Sequence, residues 1–189
     1  MTRRLALPRR WIVLIAVVLA ALLGTTSAVI AAPPDLPDSS VSSSRGGGGS
    51  SFSAQDPLNT LAQWSLGYDE RNSEMMRDAF TRDATFVYRS PAFPEPLVFE
   101  GIDAVMGLFE DALASQTDQR RHAISTHLVE RVNKRTVKVT SYLTLLAAAD
   151  PAAPPVVLST GVYRDTLVLE RDGNWRIKVR DLTLDTATA

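Results

Sequence analysis

Apolar residues follow two different periods along this chain, and the change of period divides the folded part in two. From residue 56 to residue 114 they mostly recur three or four positions apart, as on one face of an α-helix. From residue 122 to residue 184 they alternate with polar residues, as on one face of a β-strand. The pattern therefore predicts helices first and a long run of strands afterwards.

Three helices are predicted in the first part. Asp56 suits the N-cap of the first helix because its carboxylate can accept from an unpaired backbone N–H, and Pro57 suits the first turn. The inward stripe of this helix is predicted to be Leu58, Leu61, Ala62, Ser65, Tyr68 and Asp69. Asn72 suits the N-cap of a second, short helix, whose apolar face would be Met75, Met76, Ala79 and Phe80. The third helix is predicted over residues 102–114.

The strands predict the fold class. A strand at residues 84–89 precedes a proline-rich loop, and four longer strands follow at residues 122–131, 136–147, 156–171 and 174–184. Short turns separate the longer strands, and Asp172-Gly173 is a strong hairpin signal. Helices followed by such a meander predict an α+β fold, a curved antiparallel sheet with the three helices packed on its concave side. This arrangement leaves a cavity between the helices and the sheet.

The first 54 residues differ from the rest in composition. Four arginines precede an apolar run at residues 11–23 and small residues follow it, which is the order found in a signal peptide. Uncleaved, residues 11–32 are long enough to form an N-terminal membrane anchor, and both outcomes stay open. Residues 33–54, rich in Ser, Gly and Pro, predict a disordered linker. The domain at residues 55–189 is therefore expected outside the cytoplasm, secreted or anchored to the membrane.

Composition excludes several classes of protein. The chain has no cysteine, which excludes disulfides and attachment of a lipid through a thiol. Removing residues 1–32 takes away four arginines and no acid, so the net charge changes from −1 to −5. No basic surface is left for nucleic acid, and we expect no nucleic-acid partner.

Polar residues at inward positions are the candidate functional residues, because a polar group among apolar neighbours must find a partner or take part in chemistry. The candidates in the first part of the domain and at the start of the meander are Tyr68, Asp69, Tyr88 and His122. Alternation along the last three strands adds Ser141, Tyr163, Asp165, Trp175 and Asp181. The same alternation places His127 and Arg180 on outward faces.

Several short motifs carry a family resemblance. GYDERN at residues 67–72, FTRDA at residues 80–84 and YRS at residues 88–90 closely resemble scytalone dehydratase. FEG at 99–101, RH at 121–122, GVYRD at 161–165 and DGNWRI at 172–177 resemble the SnoaL-like pattern generally. Over residues 57–184 the chain thus resembles the SnoaL-like branch of the nuclear-transport-factor-2-like superfamily, which includes polyketide cyclases and scytalone dehydratase. The resemblance implies the same conical fold.

The resemblance also implies roles. Scytalone dehydratase eliminates water from a small bicyclic ketone without a cofactor or a metal, by means of a His–Asp pair and two tyrosines. For this chain the resemblance implies that His122 is the acid and base and that Asp69 orients the imidazole of His122. Tyr68 and Tyr88 would polarise the substrate carbonyl through a water. Such chemistry needs a base of near-neutral pKa and donors aimed at the developing oxyanion.

The chain also departs from that family. Where the dehydratase has a second pocket histidine this chain has Ser141, and its pocket serine and asparagine are replaced by Tyr163 and Asp165. Asp165, Arg180 and Asp181 supply the residue types of the cone-shaped epoxide hydrolases, although alternation predicts that Arg180 points outward.

Two classes of function stay open. The first is a cofactor-independent dehydratase, cyclase or isomerase that uses His122 and Asp69 on a small, largely apolar, oxygenated molecule. The second is a non-catalytic module of the same fold that binds a ligand or a protein. The expected partners are a small hydrophobic molecule, the membrane if the N-terminal segment is uncleaved, and a second copy in a homodimer. Each candidate also has a structural reading, since Asp69 can cap a turn and the tyrosines can be core residues.

Overall fold

A computed structural model describes residues 53–187 as three helices and one six-stranded sheet. The helices are α1 (Gln55–Asp69), α2 (Ser73–Asp78) and α3 (Ile102–Ser115). The strands are β1 (Phe80–Arg89), β2 (Leu97–Glu100), β3 (Gln119–Asn133), β4 (Thr136–Ala148), β5 (Val156–Leu169) and β6 (Trp175–Leu184). The expected leader and nearly all of the expected linker lie outside the described residues. Within residues 53–187, no helix combines the length and the apolar composition needed to cross a bilayer.

The sheet is curved and unclosed, with strand order β2-β1-β6-β5-β4-β3. Every neighbouring pair is antiparallel except β1 and β6, which are parallel. The predicted α+β fold with helices on a curved sheet is confirmed. Strand β2 and the parallel pairing of β1 with β6 were not predicted. Strand β2 has only four residues, too few for a clear alternation, and the β1–β6 pairing joins segments distant in sequence, which local periodicity does not report.

The core lies between the concave face of the sheet and helices α1 and α3. Trp64 of α1 is 2% exposed, and its ring centroid lies 5.5 Å from that of Phe109 on α3. The inward face of β4 is almost fully buried, as alternation predicts: Val137, Val139, Ser141, Leu143 and Leu145. Burial of each large apolar side chain stabilises the fold by about 1.5–3 kcal/mol, so this shared core fixes α1 and α3 against the sheet.

Helix α1 begins and faces the core differently from the prediction. Its N-cap position is occupied by Ala54, which makes no side-chain capping bond, so the predicted cap at Asp56 is wrong. Asp56 lies instead in the first turn, where a negative charge still interacts favourably with the helix dipole. Ala62, predicted to face inward, is exposed, and the buried face is centred on Trp64.

The turn between α1 and α2 is held on several sides. The Asn72 side chain accepts from the backbone N–H three residues later at 2.9 Å, which confirms the predicted cap. A Cβ on Gly67 would lie 2.9 Å from a backbone nitrogen of α2, so the close packing of the two helices requires glycine there. Arg71 donates to the carbonyls of Leu113 (2.9 Å) and Gln116 (2.8 Å) at the end of α3. These contacts fix the end of α1 that carries the candidate residues.

Strand β6 contains a bulge that reverses the predicted faces of its second half. Its pairing with β5 passes over Lys178, which is left as an extra residue between Ile177 and Val179. Beyond the bulge Arg180 points inward and is 1% exposed, whereas Asp181 points outward. The predicted faces of both residues are therefore wrong, because one extra residue shifts a two-residue alternation by one step.

Candidate active site

A cavity of about 90 Å³ lies between helices α1 and α3 and the concave face of the sheet. Most of its wall is aromatic or aliphatic. Besides Trp64, the polar members of the wall are Tyr68, Tyr88, Arg120, His122, Ser159 and Tyr163. An apolar pocket with a few converging polar groups is the usual form of a small-molecule site.

Asp69 and His122 form a buried pair at this wall. The Nδ1 atom of His122 lies 2.6 Å from Oδ1 of Asp69, and the backbone N–H of His122 donates to Oδ2 at 2.8 Å. Each side chain is only 7% exposed. An ionised carboxylate can only accept, so Nδ1 carries the proton of the neutral imidazole and Nε2 keeps the lone pair. The pair has the geometry of a base held by an orienting carboxylate.

The surroundings keep the imidazole neutral. Burial lowers the pKa of His122 below its ordinary value, the nearby Asp69 carboxylate opposes this shift, and the guanidinium groups of Arg180 and Arg120 add to it. The rings of Trp64 and Tyr68 meet the imidazole edge-on, with centroids 5.1 Å and 5.0 Å away. His122 is therefore a neutral base in an apolar setting.

Tyr68 is a hydrogen-bond donor over the whole physiological pH range. Burial raises the pKa of its hydroxyl to about 12, against the opposite influence of Arg120 and Arg71. Tyr163 is 1% exposed, and burial raises the pKa of its hydroxyl as well. Together with Tyr88, both tyrosines line the cavity. The wall therefore presents neutral phenols beside a neutral imidazole.

Arg120 was missed by the sequence analysis. It precedes His122 by two residues on β3 and so lies on the same face of the strand, with its side chain 1% exposed. Its Nε donates to Oδ1 of Asp118 at 3.0 Å. Strand β3 begins at Gln119, three residues before the predicted start at residue 122. Extending the alternation upstream from His122 would have found Arg120.

Asp165 was predicted to contact the substrate, but it forms a buried ion pair beside the cavity wall. Arg180 donates to it through Nε (2.8 Å) and Nη2 (3.0 Å), and neither residue lines the cavity. The guanidinium carbon of Arg180 lies 4.2 Å from the ring centroid of Trp64 and 4.4 Å from that of Tyr163. The pair thus supports two aromatic residues of the wall from behind.

Three other candidates do not line the cavity. Ser141 faces inward as predicted, but it is fully buried in the sheet core. Trp175 lies at the start of β6, where its carbonyl accepts from Thr60 near the first half of α1 at 3.0 Å. Asp181, displaced by the bulge, pairs with Arg89 on the outward side at 3.0 Å. Within residues 53–187, no three His, Asp or Glu side chains converge to hold a metal ion.

A curved, unclosed sheet that encloses a cavity with its helices is the architecture of nuclear-transport-factor-2-like domains. Residues 58–181, more than half of the chain, match the family model of the SnoaL-like domain. The chain therefore belongs to the SnoaL-like family. No protein of curated function matches it in sequence.

Solved structures show the same fold. ActVI-ORFA from Streptomyces coelicolor is 22% identical and superimposes with a TM-score of 0.60 over 69% of this chain and 96% of that protein. A candidate scytalone dehydratase from Novosphingobium aromaticivorans is 22% identical, with a TM-score of 0.58 over 70% and 83%. A protein from Catenulispora acidiphila, solved in complex with S-DNPA, is 23% identical, with a TM-score of 0.58 over 69% and 92%. At these identities the likeness concerns the fold alone.

Proposed function

We propose that this protein is a cofactor-independent acid–base enzyme that moves a proton next to a carbonyl group of a small, largely apolar, oxygenated molecule. The reaction would be a dehydration, a cyclisation or an isomerisation. The observation that carries the proposal is the Asp69-bound imidazole of His122 in the wall of an apolar cavity. Membership of a family that includes dehydratases and cyclases agrees with it.

The proposed roles follow from the protonation states. Nε2 of His122 accepts the substrate proton, and Asp69 stabilises the imidazolium that forms. Tyr68 donates a hydrogen bond to the oxygen on which negative charge develops, since its pKa of about 12 keeps it protonated. His122 then returns the proton to another atom of the intermediate, or to the leaving hydroxyl in a dehydration.

The cavity restricts the substrate. A volume of about 90 Å³ is smaller than the roughly 150 Å³ in which a single benzene ring can be bound, so a ring compound would have to displace side chains of the wall. Exclusion of bulk water strengthens each hydrogen bond made inside and protects an enolate from protonation by solvent. The apolar wall and its few polar groups support a compact ring compound with one or two oxygen substituents as the substrate class.

Proton exchange tests the proposed chemistry without knowledge of the natural substrate. β-Tetralone is a small bicyclic ketone, and the exchange of its α-protons in deuterated water can be followed by NMR. We expect the protein to accelerate this exchange, and His122→Gln and Asp69→Asn each to reduce the acceleration by roughly 10²- to 10⁴-fold. The matched control is His127→Gln, which removes an exposed histidine from the same strand. Unchanged exchange in a folded His122→Gln protein would refute the role of His122.

One observation favours a binding role as the second candidate. The position of the second histidine of scytalone dehydratase is occupied by Ser141, which is fully buried and does not line the cavity. With one base the protein could bind a ketone through His122 and Tyr68 without converting it. Binding of β-tetralone with no exchange above the buffer rate would favour this alternative.

The proposed location rests on the sequence of the first 32 residues. A basic start, an apolar run and small residues support export of the domain, either as a secreted protein or on a membrane anchor. N-terminal sequencing of the protein recovered from the medium and from membranes would distinguish the two. Recovery of the full chain from the cytosol alone would contradict export.

A further inference from the structure

We propose that Arg120 binds an anionic oxygen of the ligand, so that the cavity selects apolar ring compounds that carry a carboxylate or form an enolate. This inference rests on the proposed function, because it concerns the same cavity. It adds the charge of the ligand, which His122 and Asp69 do not define.

The position of Arg120 supports this role. It lines the cavity together with His122, and both side chains project from the same face of β3 two residues apart. Its side chain is 1% exposed. The other polar groups of the described wall are phenols, a serine hydroxyl, the indole of Trp64 and a neutral imidazole, so Arg120 supplies its permanent positive charge. An anionic oxygen in this cavity would therefore be drawn to Arg120.

The cost of burial makes a purely structural role a poor explanation. Taking a guanidinium out of water carries a large desolvation penalty, and an apolar side chain at position 120 would complete the same wall without it. The neighbouring Arg121 has a smaller desolvation penalty, since it pairs with Glu70 at 3.1 Å and both side chains are more than half exposed. Arg120 lines the cavity, whereas the buried Arg180 lies behind its wall, so Arg120 is the one that can contact an anion bound there.

Arg120 is already paired, so an anionic ligand would bind it as an additional or a competing acceptor. Asp118 accepts from Nε of Arg120 at 3.0 Å, and its side chain is 17% exposed. A planar guanidinium can engage separate partners along its different edges. Asp118 orients the guanidinium and compensates its charge. A carboxylate or enolate oxygen in the cavity would then receive a charge-assisted hydrogen bond.

A pair of nearly isosteric ligands tests the inference. Naphthoate and naphthamide have the same ring system and differ in the charge of the substituent, and their binding to the full-length protein can be measured by calorimetry. We expect naphthoate to bind roughly tenfold more tightly than naphthamide, and Arg120→Gln to remove this preference by weakening naphthoate binding more than naphthamide binding. The matched control is Arg121→Gln, which removes the same charge from the exposed face of β3 and should keep the preference.

A second measurement distinguishes a carboxylate on the ligand from an enolate formed in the site. If Arg120 holds the enolate, Arg120→Gln lowers the maximal rate of β-tetralone exchange roughly tenfold or more without weakening ketone binding. A preference for naphthoate supports the carboxylate, a loss of rate alone supports the enolate, and either supports the inference. Equal binding of the two naphthalenes by the wild-type protein, together with unchanged exchange in Arg120→Gln, would overturn it. So would failure of both naphthalenes to bind together with unchanged exchange.

The two proposals fail separately. The naphthoate preference requires no turnover and is expected to persist in His122→Gln, so a catalytically inert protein that keeps it would refute only the proposed reaction. Full dependence of exchange on His122 with none on Arg120, and no naphthoate preference, would refute only the role of Arg120. If Arg120→Gln does not fold, two measurements still test the inference. The comparison of naphthoate with naphthamide in the wild-type protein tests binding of a carboxylate. The β-tetralone exchange rate of Arg120→Lys, which keeps the charge but not the planar fork, tests stabilisation of the enolate.

Discussion

The Asp165–Arg180 pair allows a quantitative test of how the wall of the cavity is built. The two side chains are joined by hydrogen bonds of 2.8 Å and 3.0 Å and are 0% and 1% exposed. Substitution of Asp165 by asparagine keeps the size of the side chain but removes its charge. Arg180 cannot lose its proton to compensate, so the variant would bury an unpaired positive charge.

The expected cost is large compared with the stability of a domain. Breaking a buried ion pair from one side costs about 3–5 kcal/mol, because the remaining charge keeps its desolvation penalty. Nη1 of Arg180 already has no hydrogen-bond partner among the described residues, so no partner at Nη1 would compensate for the lost charge of Asp165. A small domain is stable by only about 5–15 kcal/mol, so Asp165→Asn should lower the urea midpoint markedly.

Asp181→Asn is the matched control. Asp181 is also a carboxylate of a sheet strand that pairs with an arginine, but the side chains of Arg89 and Asp181 are 46% and 24% exposed. An exposed pair of this kind is worth less than about 1 kcal/mol. Urea unfolding can be followed by tryptophan fluorescence, to which the buried Trp64 and Trp175 both contribute.

The comparison has a clear refuting result. Simple alternation along β6 would place Asp181 inward and Arg180 outward, whereas the bulge at Lys178 reverses both. If Asp181→Asn is the more damaging change, or if the two variants cost the same, the bulge and the buried pair are wrong. Removing both partners, as in Asp165→Asn with Arg180→Met, should cost less than Asp165→Asn alone, because no buried charge is left unpaired.

Two further predictions concern the base and the sheet. Because burial lowers the pKa of His122, β-tetralone exchange should keep its full rate as the pH falls through about 6.5, where a free histidine titrates, and should decline only below it. The unfolded chain binds this proton at higher pH than the folded protein does. The urea midpoint should therefore decrease as the pH is lowered from the unfolded pKa of His122 to its folded pKa. An exchange rate that halves near pH 6.5 would contradict the burial of the base. Gly161→Ala would place a Cβ 2.5 Å from the carbonyl oxygen of Thr183 and should destabilise the protein by about 1–3 kcal/mol in urea unfolding. Gly107→Ala, on α3 with open space around it, should be neutral or stabilising by up to about 1 kcal/mol, and equal losses would contradict the close β5–β6 contact.

The residues of the proposed catalytic pair illustrate how far local patterns reach. Helical spacing places Asp69 on the inward side at the end of α1, and alternation places His122 on the inward side of β3. The family motifs supplied the expectation that they meet. The structure adds the distance of 2.6 Å, the second hydrogen bond from the backbone of His122, and the burial of both side chains.

Short periodic patterns in the sequence were sufficient to predict the order of the helices and of every strand except β2, the inward face of β4, and His122, Asp69 and Tyr88 as candidates. The parallel pairing of β1 with β6, the bulge in β6 and the burial of Arg180 became evident in the three-dimensional fold. A pairing between distant strands leaves the local alternation of residue types unchanged, and the bulge appears in the sequence only as a change of the buried apolar positions from Trp175 and Ile177 to Leu182 and Leu184. They are selected by packing across the whole sheet, and the lining of the cavity depends on them.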